Sequence, residues 1–224
     1  MRIKAVCFDI DGTLYPKSET NKRLIVSLFP SPLRAFRFNS FRKNERLKSI
    51  NTVEKRTMEQ FRSYQAAMIK STIKQVDHQF YNRWLKSFAN LKPYPTLLAT
   101  LKKIEERELI ICALSDFPVE QKLVDMKIDS FFKAAVCSEQ SGYLKPHPHA
   151  FTYVAEQLGL QAKEILYVGD SYDKDMVGSY NLGMKNCYFV PGAKSVRLKK
   201  KYPKADVIIG KLEQLIEHLD TLLI

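Results

Sequence analysis

No apolar stretch in this chain approaches the about 20 consecutive residues that a bilayer-spanning helix requires, so no membrane span is expected. Cysteine is scarce. Cys7, Cys112, Cys137 and Cys187 lie far apart with no C-x-x-C pair among them, which argues against a zinc site or a dithiol redox motif. Each sits in or beside an apolar run, and buried reduced thiols in a cytoplasmic protein are the simplest expectation. Asp9 and Asp11 stand where an export signal needs an apolar core, so none is expected. Glycine is absent from Lys17 to Asn90, so that segment lacks the residue most used in tight turns. There are no internal repeats. One short basic tract, Lys199-Lys200-Lys201, reads as solvated surface.

What is abundant is positive charge, and it is unevenly placed. The 224 residues suffice for one domain with an insertion, or for two small domains, and carry a net charge of +12. Between Lys17 and Lys92 there are 17 Lys/Arg against 5 Asp/Glu, whereas the rest of the chain holds 19 of each. One segment therefore carries the whole excess, as expected of two structural units with different tasks.

That segment also differs in pattern. Ser31-Pro32 reads as a helix start, with proline in the first turn. Leu33, Phe36, Arg37 and Phe41, continuing towards Leu47, suggest one buried face. Val53, Met58, Phe61, Tyr64 and Met68 suggest a second, and Val76, Phe80, Trp84, Leu85 and Phe88 a third. The expectation is a small helical bundle whose aromatics pack against each other. On either side, strands alternate with helices. Residues 3–8, 109–114, 134–137, 164–169, 186–190 and 206–209 read as strands. Residues 97–106, 119–126, 148–158, 172–182 and 211–222 read as helices. This alternation predicts an α/β core with a parallel sheet covered on both faces.

Three of those strands end in polar groups: Asp9 with Asp11, Ser115 with Asp116, and Asp170. Strands of a parallel sheet run the same way, so these groups gather at one edge, where open α/β sheets bind ligands. Asp173 and Asp175 follow on the next helix, and Lys145 lies on a loop leading to the same edge. Clustered carboxylates are costly without a cation, and oxygen-only ligands suit Mg²⁺. A serine hydroxyl, a lysine and the Gly12 turn, whose N–H can approach an anion, suit phosphoryl oxygens. Simpler employment exists for some of these residues: Asp-Gly as a turn, Ser115 as a helix cap, Asp173 as a first-turn acid on a helix dipole. His147-Pro148-His149 resembles a metal pair but has no acid or cysteine at ligand spacing.

Asp9-Ile10-Asp11-Gly12-Thr13-Leu14, Leu114-Ser115-Asp116, Lys145-Pro146 and Gly169-Asp170-Ser171-Tyr172-Asp173-Lys174-Asp175 resemble, in order, the four motifs of the haloacid dehalogenase (HAD) superfamily of hydrolases. The resemblance implies a Rossmann-like three-layer core with central strand order 3-2-1-4-5. It assigns residues 1–16 and 93–224 to that core and 17–92 to an inserted helical cap. It implies that Asp9 is the nucleophile and that Asp11 exchanges the proton with leaving group and water. Mg²⁺ would be held by Asp9, the Asp11 carbonyl and Asp170. Gly12, Ser115 and Lys145 would hold the phosphoryl group, with Asp116, where Asn is frequent in the family, beside it. Asp175, and more weakly Asp173, would support Lys145 or a metal-bound water. Keeping the second acid, Asp11, favours phosphate esters over carbon–halogen bonds. The function so implied is a Mg²⁺-dependent phosphatase for a small phosphorylated metabolite, with a phosphomutase as the alternative. A third expectation is a scaffold whose basic cap docks on nucleic acid or an acidic partner. The cap charge, including Arg34, Arg37, Arg42 and Lys43, is expected to attract anionic substrates.

Overall fold

The computed structural model describes residues 2–19, 32–49, 56–88, 90–193 and 200–222. Its centre is strand β1 (Ala5–Phe8), four buried residues in a row. The helical insertion follows: α1 (Pro32–Ser49), α2 (Met58–Met68), α3 (Ile73–Val76), a π-turn (Asp77–Asn82) and α4 (Arg83–Ser87). The chain then returns through α5 (Leu97–Glu105), β2 (Ile110–Ser115), α6 (Glu120–Asp125), β3 (Ala134–Cys137) and α7 (Pro148–Leu158). It closes with β4 (Ile165–Gly169), a second π-turn (Tyr172–Met176), α8 (Val177–Leu182), β5 (Lys185–Phe189), β6 (Val207–Ile209) and α9 (Gln214–Leu222).

The six strands form one parallel sheet in the order β3-β2-β1-β4-β5-β6, as the alternation predicts. Successive strand residues feed opposite faces. Val6, Phe8, Ile111, Ala113, Leu166 and Val168 pack with Leu97, Leu101, Ile104, Leu123 and Leu215 on one side. Ala5, Cys7, Cys112, Leu114, Ile165 and Tyr167 pack with Phe151, Val154 and Met176 on the other. Both faces are dry, which is why these strands read as unbroken apolar runs. All four cysteines are buried and unpaired.

Element ends move for local reasons. The last helix begins at Gln214 because its side chain accepts the Gly210 and Lys211 N–H groups, at 2.8 and 3.0 Å, and so caps the turn before it. The stretch 172–182 is helical throughout, with a first turn of π type and an α-helix from Val177.

The insertion corrects two expectations. On α1 the buried face is Ala35, Phe38, Phe41, Arg42 and Glu45, whereas Leu33, Phe36 and Leu47 are exposed. On α2, Phe61 is buried with Gln65 and Ala66, while Met58, Tyr64 and Met68 are exposed. Val53 and Ser31, and the side chain of Trp84, lie outside the described residues. The displacement has a physical reason: Arg42 and Glu45 are buried because each meets an opposite charge, Glu139 and Arg56 respectively. A small aromatic cluster of Phe38, Phe41, Phe61, Val76 and Tyr81 then closes on Leu144 from the α/β part.

Candidate active site

The site lies at the carboxyl edge of the sheet, where β1, β2 and β4 end. Asp9 continues β1 by donating its N–H to the Val168 carbonyl at 2.8 Å. The chain then reverses through Gly12 at φ +100°, and a Cβ there would collide with the Asp170 carboxylate. Only glycine lets the turn pass so close to the end of β4.

Asp9 and Asp11 are two residues apart but belong to different polar groups. Asp9 Oδ1 accepts from Lys145 Nζ at 2.6 Å, and its Oδ2 accepts from the Thr13 hydroxyl at 3.2 Å. Lys145 Nζ also reaches Asp175 Oδ1 at 2.6 Å and the Tyr167 hydroxyl at 2.8 Å. The second π-turn makes this possible by turning Asp175 inward, where its Oδ2 accepts the Ser171 N–H at 2.9 Å. Burial pushes the Asp9 carboxyl up to about 6; Lys145 opposes this, and Asp175 and Asp11 add to it. Lys145 is itself buried, which disfavours its charge, but Asp175 and Asp9 more than offset that and keep it protonated.

Asp11 faces elsewhere. Lys122 Nζ lies 2.6 and 2.8 Å from its two oxygens, the Ser115 hydroxyl donates to Oδ2 at 3.1 Å, and the Tyr15 hydroxyl donates to Oδ1. Burial alone would raise its pKa, but Lys122 and these hydroxyls outweigh it and hold the carboxyl below its ordinary value. Lys122 is a second buried cation that sequence reasoning missed. A signal existed: it sits at helical spacing among Val119, Leu123 and Met126, a lysine on an otherwise buried apolar face.

Asp9, Asp170 and Asp175 bring carboxylate oxygens within 4.8 Å of one another, a set of hard donors that fits a divalent cation of the Mg²⁺ type. Asp170 is raised by burial and by Asp9, and Lys17 Nζ lies 2.9 Å from its Oδ2. Asp173 remains exposed on the π-turn, outside this trio. His147 Nδ1 accepts the His149 N–H at 3.1 Å, and both rings stack with Tyr143, so the pair caps and packs α7.

Asp116, expected beside the phosphoryl group, is buried. Its carboxylate accepts from Arg46 at 2.8 Å, from the Ser138 hydroxyl at 2.8 Å and from the Lys145 N–H at 3.0 Å. Burial opposes its charge, but Arg46, Lys145, Lys174 and Arg42 together hold it well below the carboxylate range. Arg42 donates to the Asp116 carbonyl and to Glu139, with its guanidinium 4.0 Å from the Phe117 ring centroid. Arg62 Nε lies 2.8 Å from Glu139 Oε2, and the Tyr81 hydroxyl donates to Glu139 Oε1 at 2.6 Å. The expectation that Arg42 acts as a free attracting charge is therefore corrected: it is buried and neutralised. It ties the insertion to the end of β2 and to the loop after β3.

Comparison with known proteins agrees with this architecture. The chain is 26% identical, over 98% of its own length and 98% of the other's, to a glyceraldehyde 3-phosphate phosphatase of Methanocaldococcus jannaschii. It is 27% identical to a pyrophosphatase PpaX of Bacillus cereus, covering 98% of this chain and 97% of that protein. Among solved structures, the HAD-hydrolase YfnB of Bacillus subtilis, bound to magnesium, shares the fold with a TM-score of 0.65, at 18% identity and covering 98% and 100% of the two chains. The pattern of the haloacid dehalogenase-like hydrolases matches residues 6–189, and with its four motifs gathered at one sheet edge the chain belongs to that family of enzymes.

Proposed function

We propose that this hydrolase is a Mg²⁺-dependent phosphatase that cleaves a small phosphorylated metabolite through an aspartyl phosphate on Asp9. The observation that carries this reading is the Asp9–Lys145–Asp175 group, a buried carboxylate with one oxygen on a lysine and a second carboxylate behind that lysine. The relatives named as a glyceraldehyde 3-phosphate phosphatase and a pyrophosphatase support phosphoryl oxygens as the target.

Asp9 Oδ forms a bond to phosphorus as the bond to the leaving oxygen breaks, and that oxygen takes a proton from Asp11. Lys145 holds the orientation of Asp9 and offers positive charge to the phosphoryl oxygens, with Asp175 keeping it in place. Ser115 and the Gly12 N–H supply further donors at the same edge. Asp11, left ionised by that transfer, receives the proton of the water that then attacks phosphorus, which breaks the Asp9–phosphorus bond and releases phosphate. Asp9, Asp170 and the Asp11 carbonyl, with Asp175 close by, would hold Mg²⁺, whose contribution when bound is to neutralise charge on nucleophile and phosphoryl oxygens. Residues 17–92 would act as a cap over residues 1–16 and 93–224.

The direct test is turnover of a panel of phosphorylated metabolites with Mg²⁺. EDTA should abolish hydrolysis and added Mg²⁺ should restore it, with Ca²⁺ restoring it poorly because its shell is larger and looser. Full activity in EDTA rules the reading out.

The charge of the insertion supplies a second prediction. Arg42, Arg46, Arg56 and Arg62 are taken up by Glu139, Asp116 and Glu45, so attraction of substrate falls to the remaining basic residues. Such attraction is screened over about 8 Å at physiological salt. Efficiency should fall as salt rises, mainly through KM, and neutralising Arg34, Arg37 and Lys43 together should flatten that dependence. A salt profile unchanged in this triple variant, with lost binding to a polyanion, would instead favour a docking role for the charge.

A further inference from the structure

We infer that Lys122 is a positioning residue for the second half of the reaction, holding Asp11 where it can take the proton of the attacking water. The inference rests on the proposed roles of Asp9 and Asp11. Lys122 lies on α6, outside the four motifs, and its side chain is buried against the partly buried Asp11. Its ammonium bridges both oxygens of that carboxylate, at 2.6 and 2.8 Å, and lies 4.8 Å from the centroid of the Phe88 ring. A buried lysine is expensive unless a carboxylate answers it, so a lysine packed by Val119, Leu123 and Met126 has a strong reason to stay on Asp11.

The geometry separates two carboxylates that would otherwise compete. Lys145 and Asp175 take Asp9, while Lys122, Tyr15 and Ser115 take Asp11. The two lysines come from different elements, the loop before α7 and helix α6. Each aspartate thus has its own cation. In the first half the Asp9 oxygen attacks phosphorus and the leaving group departs with its electron pair. In the second, a water oxygen attacks the same phosphorus, its proton passes to Asp11, and Asp9 is regenerated. With a leaving group that needs no proton, the contact of Lys122 with Asp11 bears on the second half.

This division is readable with p-nitrophenyl phosphate, whose leaving group departs without a proton. For Lys122→Met, close in volume but uncharged, kcat should fall by about tenfold to a hundredfold while kcat/KM falls much less, so that KM drops with kcat. A burst of nitrophenol, equal to the enzyme concentration, should precede the slow steady state as the phosphorylated enzyme accumulates. Asp11→Asn should show the same split. If Asp11→Asn lowers kcat and kcat/KM equally and gives no burst, the proposed role of Asp11 is at fault. If Asp11→Asn splits the two constants but Lys122→Met lowers both equally, Lys122 is a packing residue and the inference is overturned. Lys122→Gln, which keeps a donor for Asp11, and Lys122→Arg, which keeps the charge, carry the same measurement where the methionine variant does not fold. Retention of more kcat by Arg than by Gln supports the charge as the operative feature, and the reverse order overturns it.

Discussion

Asp9→Asn should give a folded protein whose phosphate-ester hydrolysis lies at background, below about a hundredth of the unaltered rate. The amide keeps the shape, and its oxygen can still accept from Lys145 while its NH2 can donate to the Thr13 hydroxyl, but it carries no charge to attack phosphorus. Folding should survive because Lys145 keeps Asp175, 2.6 Å away, as its counter-ion. The stability sign can be worked out. Asp9 is raised by burial to about 6, above the unfolded value of about 3.9, so its ionised form disfavours the fold at neutral pH. That penalty is fully present above pH 6 and disappears as pH falls below about 4. The asparagine variant should therefore melt no lower than the parent at pH 7.5, with any gain vanishing at low pH. Turnover and a melting curve on one preparation decide the matter, and appreciable hydrolysis by a well-folded Asp9→Asn protein would eliminate covalent catalysis by this residue.

Glu139→Leu should cost about 3–5 kcal/mol of stability, since it strands the buried Arg42 guanidinium and leaves the partly buried Arg62 with Asp77 alone. Arg42 and Arg62 both rest on this carboxylate, whose side chain is wholly inaccessible to solvent. For a chain of this size such a loss lowers Tm by roughly 10 °C or more. The companion test is Arg42→Met combined with Glu139→Leu. Replacing a buried pair by apolar groups removes both desolvation penalties, so the double variant should recover much of the loss. Urea or thermal melts of the two single variants and the double variant provide the cycle. A Glu139→Leu protein within about 1 kcal/mol of the parent would mean that the charge pairs on Glu139 contribute little to holding the insertion.

The core and its edge were legible in the chain because parallel strands buried on both faces leave a coarse mark. The runs ending at Phe8, Ser115 and Gly169 are apolar until the residue that turns into the site, so strands and motif positions come from one pattern. The insertion was harder. Its helix α1 buries Arg42 and Glu45 and exposes Leu33, Phe36 and Leu47, so an apolar count selects the wrong face. What reverses the choice is Glu139, 97 residues further on, and no local periodicity contains it. For Lys122 the apolar spacing of Val119, Leu123 and Met126 marked a buried position, but not its partner, since Asp11 lies 111 residues away. Asp116 was read by its neighbourhood to Ser115, whereas its partners include Arg46, 70 residues earlier in the chain. Apolar pattern is local, but charge pairing across a fold is not.

The arginine contacts to Asp116 and Glu139 also limit how this enzyme can be recombined. Cutting at residues 16 and 93 and grafting a relative's helices would look like a clean exchange of modules. It would leave Asp116 and Glu139 on the host side, both buried and both having lost Arg42, Arg46 and Arg62. A host with two stranded acids would either push the graft away or take up protons to neutralise them. Because Asp116 also holds the main chain of Lys145, the mismatch would reach the candidate site directly. A working chimera must therefore carry the two acids with the helices, or replace them with neutral residues in the same step.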